Sequence, residues 1–151
     1  MPYSKVLTTN RQARFNYFIL DSIEAGLVLR GTEVKSLRLG LCNLKDSYAR
    51  LQDSQAWLYN CHISPYPHGN RMNHEPLRPR KLLLRKAQIR RLERQLTKGM
   101  TLVALRIYLK DKRIKVELGL GRGKKHFDKR AALKEKAIDR DTRAAMHSRR
   151  R

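Results

Sequence analysis

The sequence predicts a small, mainly β domain whose strands curl into a closed or nearly closed barrel, flanked by two or three short helices and followed by a disordered basic tail. Three observations predict it. Val103, Leu105, Ile107 and Leu109 recur at every second position of one run, and Ile114, Val116, Leu118 and Leu120 of the next, the period of strands with one buried face. Helical spacing is confined to two short stretches. After Gly123 the apolar content falls to scattered Ala, Leu133, Ile138 and Met146 among many charges, too little to bury a core. A chain of 151 residues holds one such domain with tails, divided here as an arm over 1–14, a barrel over 15–123 and a tail over 124–151.

Taken in order, residues 1–14 are polar, basic and without apolar periodicity, which predicts a flexible arm with order beginning near Phe15. Phe15 to Leu29 is rich in aromatic and β-branched residues, interrupted at Glu24-Ala25-Gly26. It predicts a long strand bent at a bulge or a tight hairpin, with Gly26 at the bend. In GTEVKSLRLG, Thr32 can cap a short helix, Glu33 lies in the first turn near the positive dipole end, Val34 and Leu37 point inward, and Gly40 marks the stop. Residues 43–63 give two strand-like runs around Gln52-Asp53-Ser54-Gln55, with Trp57, Tyr59, Cys61 and Ile63 alternating in the second, the signature of a hairpin.

Five prolines and glycines between Pro65 and Pro79 predict an irregular loop over about 64–79. Ile89, Leu92 and Leu96 then recur at helical spacing, with Arg90, Arg91, Arg94 and Lys98 largely elsewhere on the wheel and Gly99 following. One amphipathic helix is expected from about Lys86 to Lys98. The last two strands are joined by a hairpin turn at Lys110-Asp111-Lys112-Arg113. Several short strands with two modest helices indicate a barrel of the oligonucleotide-binding type.

Charge narrows the partner. With 35 Lys and Arg against 13 Asp and Glu, the formal net charge is +22, which makes a compact form repel itself unless a polyanion is near. That points to nucleic acid. A membrane-surface protein would need a broad apolar helix face or a lipidation signal, and neither stands out. MPYSKVLTTNRQARF lacks the apolar stretch of a secretory signal, and no run approaches the ~20 apolar residues of a bilayer span, so a cytoplasmic location is expected. Cys42 and Cys61 match neither a redox CxxC nor half of a zinc ribbon and are expected as small buried or half-buried side chains.

The stretch LGLGRGKKHFDKR, residues 118–130, raises a phosphate cradle as a candidate. A P-loop needs four residues between its glycines and a Ser or Thr after the Lys; Gly119 to Gly123 encloses three and Lys124-Lys125-His126 follows, so the match fails. The dinucleotide pattern fails too, since position 124 is Lys and no βαβ unit surrounds it. Alternating glycines suit a strand end whose backbone stays bare for a close neighbour or a departing tail. Lys124, Lys125, Lys129 and Arg130 around Phe127 suit RNA, with cations on phosphates and a ring stacked on a base, although a solvated charge run has the same composition. His62, His68 and His74 complete no metal-ligand set. No nucleophile elbow or paired-carboxylate site is present, so neither catalysis nor a cofactor or metal is expected.

The blocks FNYFI with EAGLVL, GTEVKSLRLG, NLKDSYA, HISPY with GNRMNH, LRPRKLLL, IYLK, KVELGLGRGKK and DKR, in this order from about Asn10 to Arg130, closely resemble the small protein B family of bacterial trans-translation. The resemblance implies an oligonucleotide-binding-type barrel that binds the tRNA-like domain of transfer-messenger RNA and delivers it to stalled ribosomes, with elongation factor Tu in the delivery complex. It implies RNA contacts at Glu24, Leu83 and Lys115. There Lys115 can meet phosphate, Glu24 can accept from base or ribose donors, and Leu83 can pack on a base or ribose; holding a turn is the alternative role for Glu24. It also implies decoding-centre contacts by Gly123, Lys124 and Lys125 and by Asp128, Lys129 and Arg130, with Phe127 stacking. Composition alone also fits a structural ribosomal RNA-binding protein or, less well, an RNA-modifying enzyme.

Overall fold

The computed structural model describes residues 4–69 and 73–124, together with 129, 130, 133, 134, 137 and 138. In chain order the elements are β1 (Ser4–Thr9), α1 (Ala13–Asn16), β2 (Tyr17–Leu27), α2 (Gly31–Arg38), β3 (Cys42–Asn43), β4 (Tyr48–Gln52), β5 (Gln55–Tyr59), β6 (His62–Ile63), β7 (Arg80–Leu83), α3 (Lys86–Gln95), β8 (Met100–Lys110) and β9 (Arg113–Gly123). The sheet runs β1-β8-β4-β5-β7-β2-β9, and β9 pairs back onto β8. Six strands therefore close a ring with no free edge between them. Strand β8 is long enough to serve two partners along one side, β4 through Leu102 and Val103 and β1 from Arg106 to Lys110, while β9 takes its other side.

Closure is set by local chemistry. The β8–β9 hairpin turns on Asp111 and Lys112, and β4–β5 on Asp53 and Ser54, each pair in the left-handed region at φ of 50° and 66° and of 51° and 60°. Such two-residue turns match the right-handed twist of the flanking strands. Inside the ring Leu58, Leu82, Leu102, Ala104, Ile107, Val116 and Leu118 form one solvent-free core with Leu37 of α2 and Leu92 of α3. A smaller cluster of Ala13, Val103 and Leu105, with Tyr17 and Ile19 against it, packs separately. Leu105 is the extra residue of a register shift between Ala104 and Arg106, so the expected single face of Val103, Leu105, Ile107 and Leu109 divides: the first two join the small cluster and Ile107 the ring core.

Several expectations are corrected. Residues 4–9, expected within a flexible arm, pair with β8, and Asn10 ties the junction down by donating from its side chain to the carbonyls of Ala104 (2.9 Å) and Leu44 (3.1 Å). An edge strand needs main-chain pairing more than apolar periodicity, which is why composition misses it. The bend in β2 is not at Gly26; the register shifts between Ile19 and Asp21, and Gly26 is paired on both sides. Helix α2 runs from Gly31 to Arg38, with Arg30 rather than Thr32 as N-cap, and is stopped by Gly40 (φ 74°), whose N–H donates to the Leu37 carbonyl while that of Leu41 reaches Ser36. Helix α3 ends at Gln95, short of the expected Lys98. In β5 the buried face is Ala56 and Leu58, and left-handed Asn60 (φ 59°) separates that strand from buried Cys61 and Ile63.

A buried ionic clamp anchors the proline loop. Glu33, solvent-free, accepts from the Arg30 N–H (2.8 Å), from Nη2 of Arg78 (2.5 Å) and from Nε of fully buried Arg80 (2.6 Å). Burial pushes the Glu33 carboxyl up, but these donors and the Arg80 charge outweigh it and hold the group below the ordinary carboxylate range. His74, also buried, donates from Nε2 to the Ile63 carbonyl (2.8 Å) and shares a hydrogen bond between Nδ1 and the Thr32 hydroxyl (2.9 Å), which ties the loop to α2. Beyond Lys124, the described residues Lys129, Arg130, Leu133, Lys134, Ala137 and Ile138 are helical, consistent with the intrinsic preference of Ala, Leu and Lys. Among the described residues no helix is long and apolar enough to cross a membrane.

Candidate nucleic-acid interface

Three strands of the ring bring Glu24, Leu83 and Lys115 to one groove. Gly26 on β2 faces Leu83 of β7 on one side and Lys115 of β9 on the other, and Glu24 precedes it on the same strand. Glycine gives Leu83 room for a close approach here: a Cβ at position 26 would lie tightly, 3.2 Å from the Leu83 Cβ and 3.3 Å from its Cδ1. With that space open, Leu83 lies across the strand and stays 54% exposed, an apolar surface in cationic surroundings. Glu24, Gly26, Leu83, Arg85, Lys86 and Lys115 line one open groove of about 570 Å³.

Glu24 sits within a continuous strand, so the turn-holding role is excluded. Its carboxylate pairs with Nζ of Lys110 at 3.3 Å, both side chains more than a third exposed. Burial raises the Glu24 pKa, yet hydrogen bonds from Tyr108 and Lys110 and the charges of Lys110 and Lys115 win, so the group stays ionised below the usual range. Burial and the same Glu24 contact push the Tyr108 hydroxyl up to about 12. The result is one fixed acceptor in a field of cations: Glu24 can accept from a base amino group or a ribose 2′-hydroxyl, Lys115 and its neighbours can meet phosphates, and Leu83 can pack on a sugar or base face.

Gly123 and Lys124 lie far from it. From Lys115 to Gly123 strand β9 advances eight residues, about 26 Å at roughly 3.3 Å per residue. Gly123 pairs with Tyr17, and the Lys124 N–H donates to the Asn16 carbonyl at 2.8 Å. There Phe18, 37% exposed, carries Nζ of Lys124 at 4.9 Å and the Arg122 guanidinium at 5.5 Å over its ring, a second aromatic and cationic patch. Gly119 and Gly121, whose bareness was expected to admit a neighbour, lie under Leu105 and Ile19 and under Tyr17 respectively. Lys129 lines a groove with Asn16, Tyr17, Gly123 and Lys124, and Arg130 is helical and exposed. Lys125, Phe127 and Asp128 lie outside the described residues.

Sequence reasoning missed Tyr108, Lys110 and Phe18, and it took Gly26 for a bend. A two-residue turn at Asp111-Lys112 dictates that Tyr108 opposes Lys115, so counting register outward from the hairpin could have found the first of these. Phe18 carried only the parity of its strand.

A closed ring of strands with an acceptor, an apolar plate and several cations on its outer face defines a small basic β-barrel suited to a structured polyanion. The chain belongs to the SmpB family, whose model, described as SmpB protein, matches residues 7–148. It is 56% identical over 138 residues to an SsrA-binding protein of Desulforudis audaxviator, covering 91% of this chain and 90% of the relative. It is 53% identical over 149 residues to one of Enterococcus faecalis, at 97% and 96% coverage. Among solved structures it is similar to a chain in "tmRNA-SmpB: a journey to the center of the bacterial ribosome", with TM-score 0.68, 46% identity, and 83% of this chain and 93% of that chain covered.

Proposed function

We propose that this protein binds the tRNA-like domain of transfer-messenger RNA through the groove around Gly26 and delivers it to ribosomes stalled without a usable stop codon. It acts in the cytoplasm as a binding protein with no chemistry of its own, and elongation factor Tu joins the delivery complex. The observation that carries the reading is the convergence of Glu24, Leu83 and Lys115, from three strands, on one face of a ring whose relatives are SsrA-binding proteins. A folded RNA elbow presents phosphates, 2′-hydroxyls and unstacked bases together, and that face offers a partner for each. The distant patch at Phe18, Arg122, Gly123 and Lys124, with Lys125, Phe127, Asp128, Lys129 and Arg130 beyond it, serves the small-subunit decoding centre and message channel.

Co-purification tests the first half: RNA bound to the tagged chain is extracted from cells and sequenced. Transfer-messenger RNA should dominate for the wild type and fall to background for Leu83→Asp. Equal recovery of ribosomal RNA or ordinary tRNA by both would overturn it.

A further inference from the structure

Cys42 and Cys61 flank the β4–β5 hairpin in sequence, and the two-stranded β3–β6 ribbon brings their Sγ atoms to 3.9 Å, both free thiols. Exposure and nucleophilicity are divided between them. Cys42 is half-buried, whereas Cys61 is 1% exposed and its carbonyl accepts from the guanidinium of Arg80. The contact with Cys42 draws the Cys61 thiol down against its burial, and the Arg80 charge adds to this. The same contact and burial hold Cys42 up. Neither sulfur lines the groove around Gly26. The arrangement resembles neither a metal site nor a zinc ribbon, and it places an attacking sulfur directly behind a reachable one.

We propose that Cys42 and Cys61 form a reversible oxidation site, in which Cys42 meets a peroxide and Cys61 resolves the product into a disulfide. In the first step the Cys42 sulfur attacks one peroxide oxygen, the O–O bond breaks, the Cys42 proton passes to the departing hydroxide, which leaves as water, and the sulfur is oxidised to a sulfenic acid. In the second the Cys61 sulfur attacks the Cys42 sulfur, the S–O bond breaks, and a second water carries away the Cys61 proton. The net change is the loss of two hydrogens from the protein and reduction of one peroxide to two waters. The 3.9 Å gap must close to about 2.05 Å for the bond to form. What the pair accomplishes is protection: without Cys61, further oxygen would turn Cys42 into a sulfinate or sulfonate, an irreversible anion packed against the barrel core.

The test uses full-length protein under graded hydrogen peroxide, followed by blocking of remaining thiols, intact mass and peptide mapping, so it needs no RNA and stands apart from the proposed function. Wild type should lose both thiols together, yield one Cys42–Cys61 cross-linked peptide, and recover fully on reduction with dithiothreitol. Cys61→Ser and Cys61→Ala, two variants in case one folds poorly, should instead gain two or three oxygens on Cys42 that dithiothreitol does not remove. In Cys42→Ser the buried Cys61 should stay reduced at peroxide levels that exhaust the wild-type pair. Wild-type Cys42 reaching sulfinic or sulfonic acid as fast as in Cys61→Ser would overturn the proposal. So would wild type keeping both thiols while Cys42 of the Cys61 variants reacts.

Discussion

Replacing Lys115 by Glu changes the electrostatics of the groove at its centre. The substitution removes the cation opposite Gly26, one of the charges that keep Glu24 ionised, and sets a second carboxylate near it. A lysine that neutralises one phosphate contributes about 0.9 to the slope of log affinity against log salt, so a fourfold rise in salt should cost the variant about 3.5-fold less affinity than it costs wild type. Lost attraction and added repulsion should weaken binding by roughly 1–3 kcal/mol at low salt, about 5- to 150-fold. Filter binding of the isolated tRNA-like domain across a salt series gives both numbers, and circular dichroism confirms the fold. Lys115→Met separates the two effects: it should show the smaller slope with a milder loss. A correctly folded Lys115→Glu protein with wild-type slope and affinity would refute the assignment of Lys115 to the RNA groove.

Other consequences follow from the same geometry. Glu33→Ala leaves fully buried Arg80 without its carboxylate and should destabilise the fold by about 3–5 kcal/mol in urea titration, the range for breaking a buried ion pair; a change under about 1 kcal/mol would contradict the clamp. Because the Glu33 and Glu24 carboxyls are held below their unfolded value of roughly 4.3, the stability they add is complete above that pH and drains as pH falls through their lower folded values. The urea midpoint should therefore be flat from neutrality down to about pH 5 and drop below it, and the drop should shrink in Glu33→Gln. Gly26→Val, with branches aimed into the Leu83 side chain, should reduce RNA affinity by about tenfold or more while Gly31→Val, with nothing within 4 Å of the added Cβ, leaves it unchanged. Equal affinity in both would remove Leu83 from the interface.

The parts of this molecule legible in its sequence were those written locally. The last hairpin, the 48–59 hairpin, both amphipathic helices and the Gly40 stop each depend on residues within a few positions of one another. What was hidden depended on register or distance. A single extra residue at Leu105, and another at Leu20, moves neighbouring apolar side chains to the other face of the sheet, and no composition rule marks either one. Strand β1, SKVLTT, lacks a clean apolar alternation and β7, RKLL, is short and basic; both form against a waiting partner edge. Glu33 looked like an ordinary first-turn acid because its partners Arg78 and Arg80 lie more than forty residues away. The groove itself came from resemblance at Glu24, Leu83 and Lys115; the structure adds why they converge, namely that Gly26 is bare between two of them.

The central claim is that RNA capture and work on the ribosome belong to opposite ends of the β2–β9 pair. The direct measurement compares the full chain with one ending at Gly123 in two assays: filter binding to the tRNA-like domain, and addition of the peptide tag to nascent chains on ribosomes stalled on a truncated message. Every groove residue from Glu24 to Lys115 is retained in the shorter chain, so its affinity should stay within about threefold of wild type while tagging is abolished. Tagging at the wild-type rate without residues 124–151, or binding lost in proportion to tagging, would contradict the account.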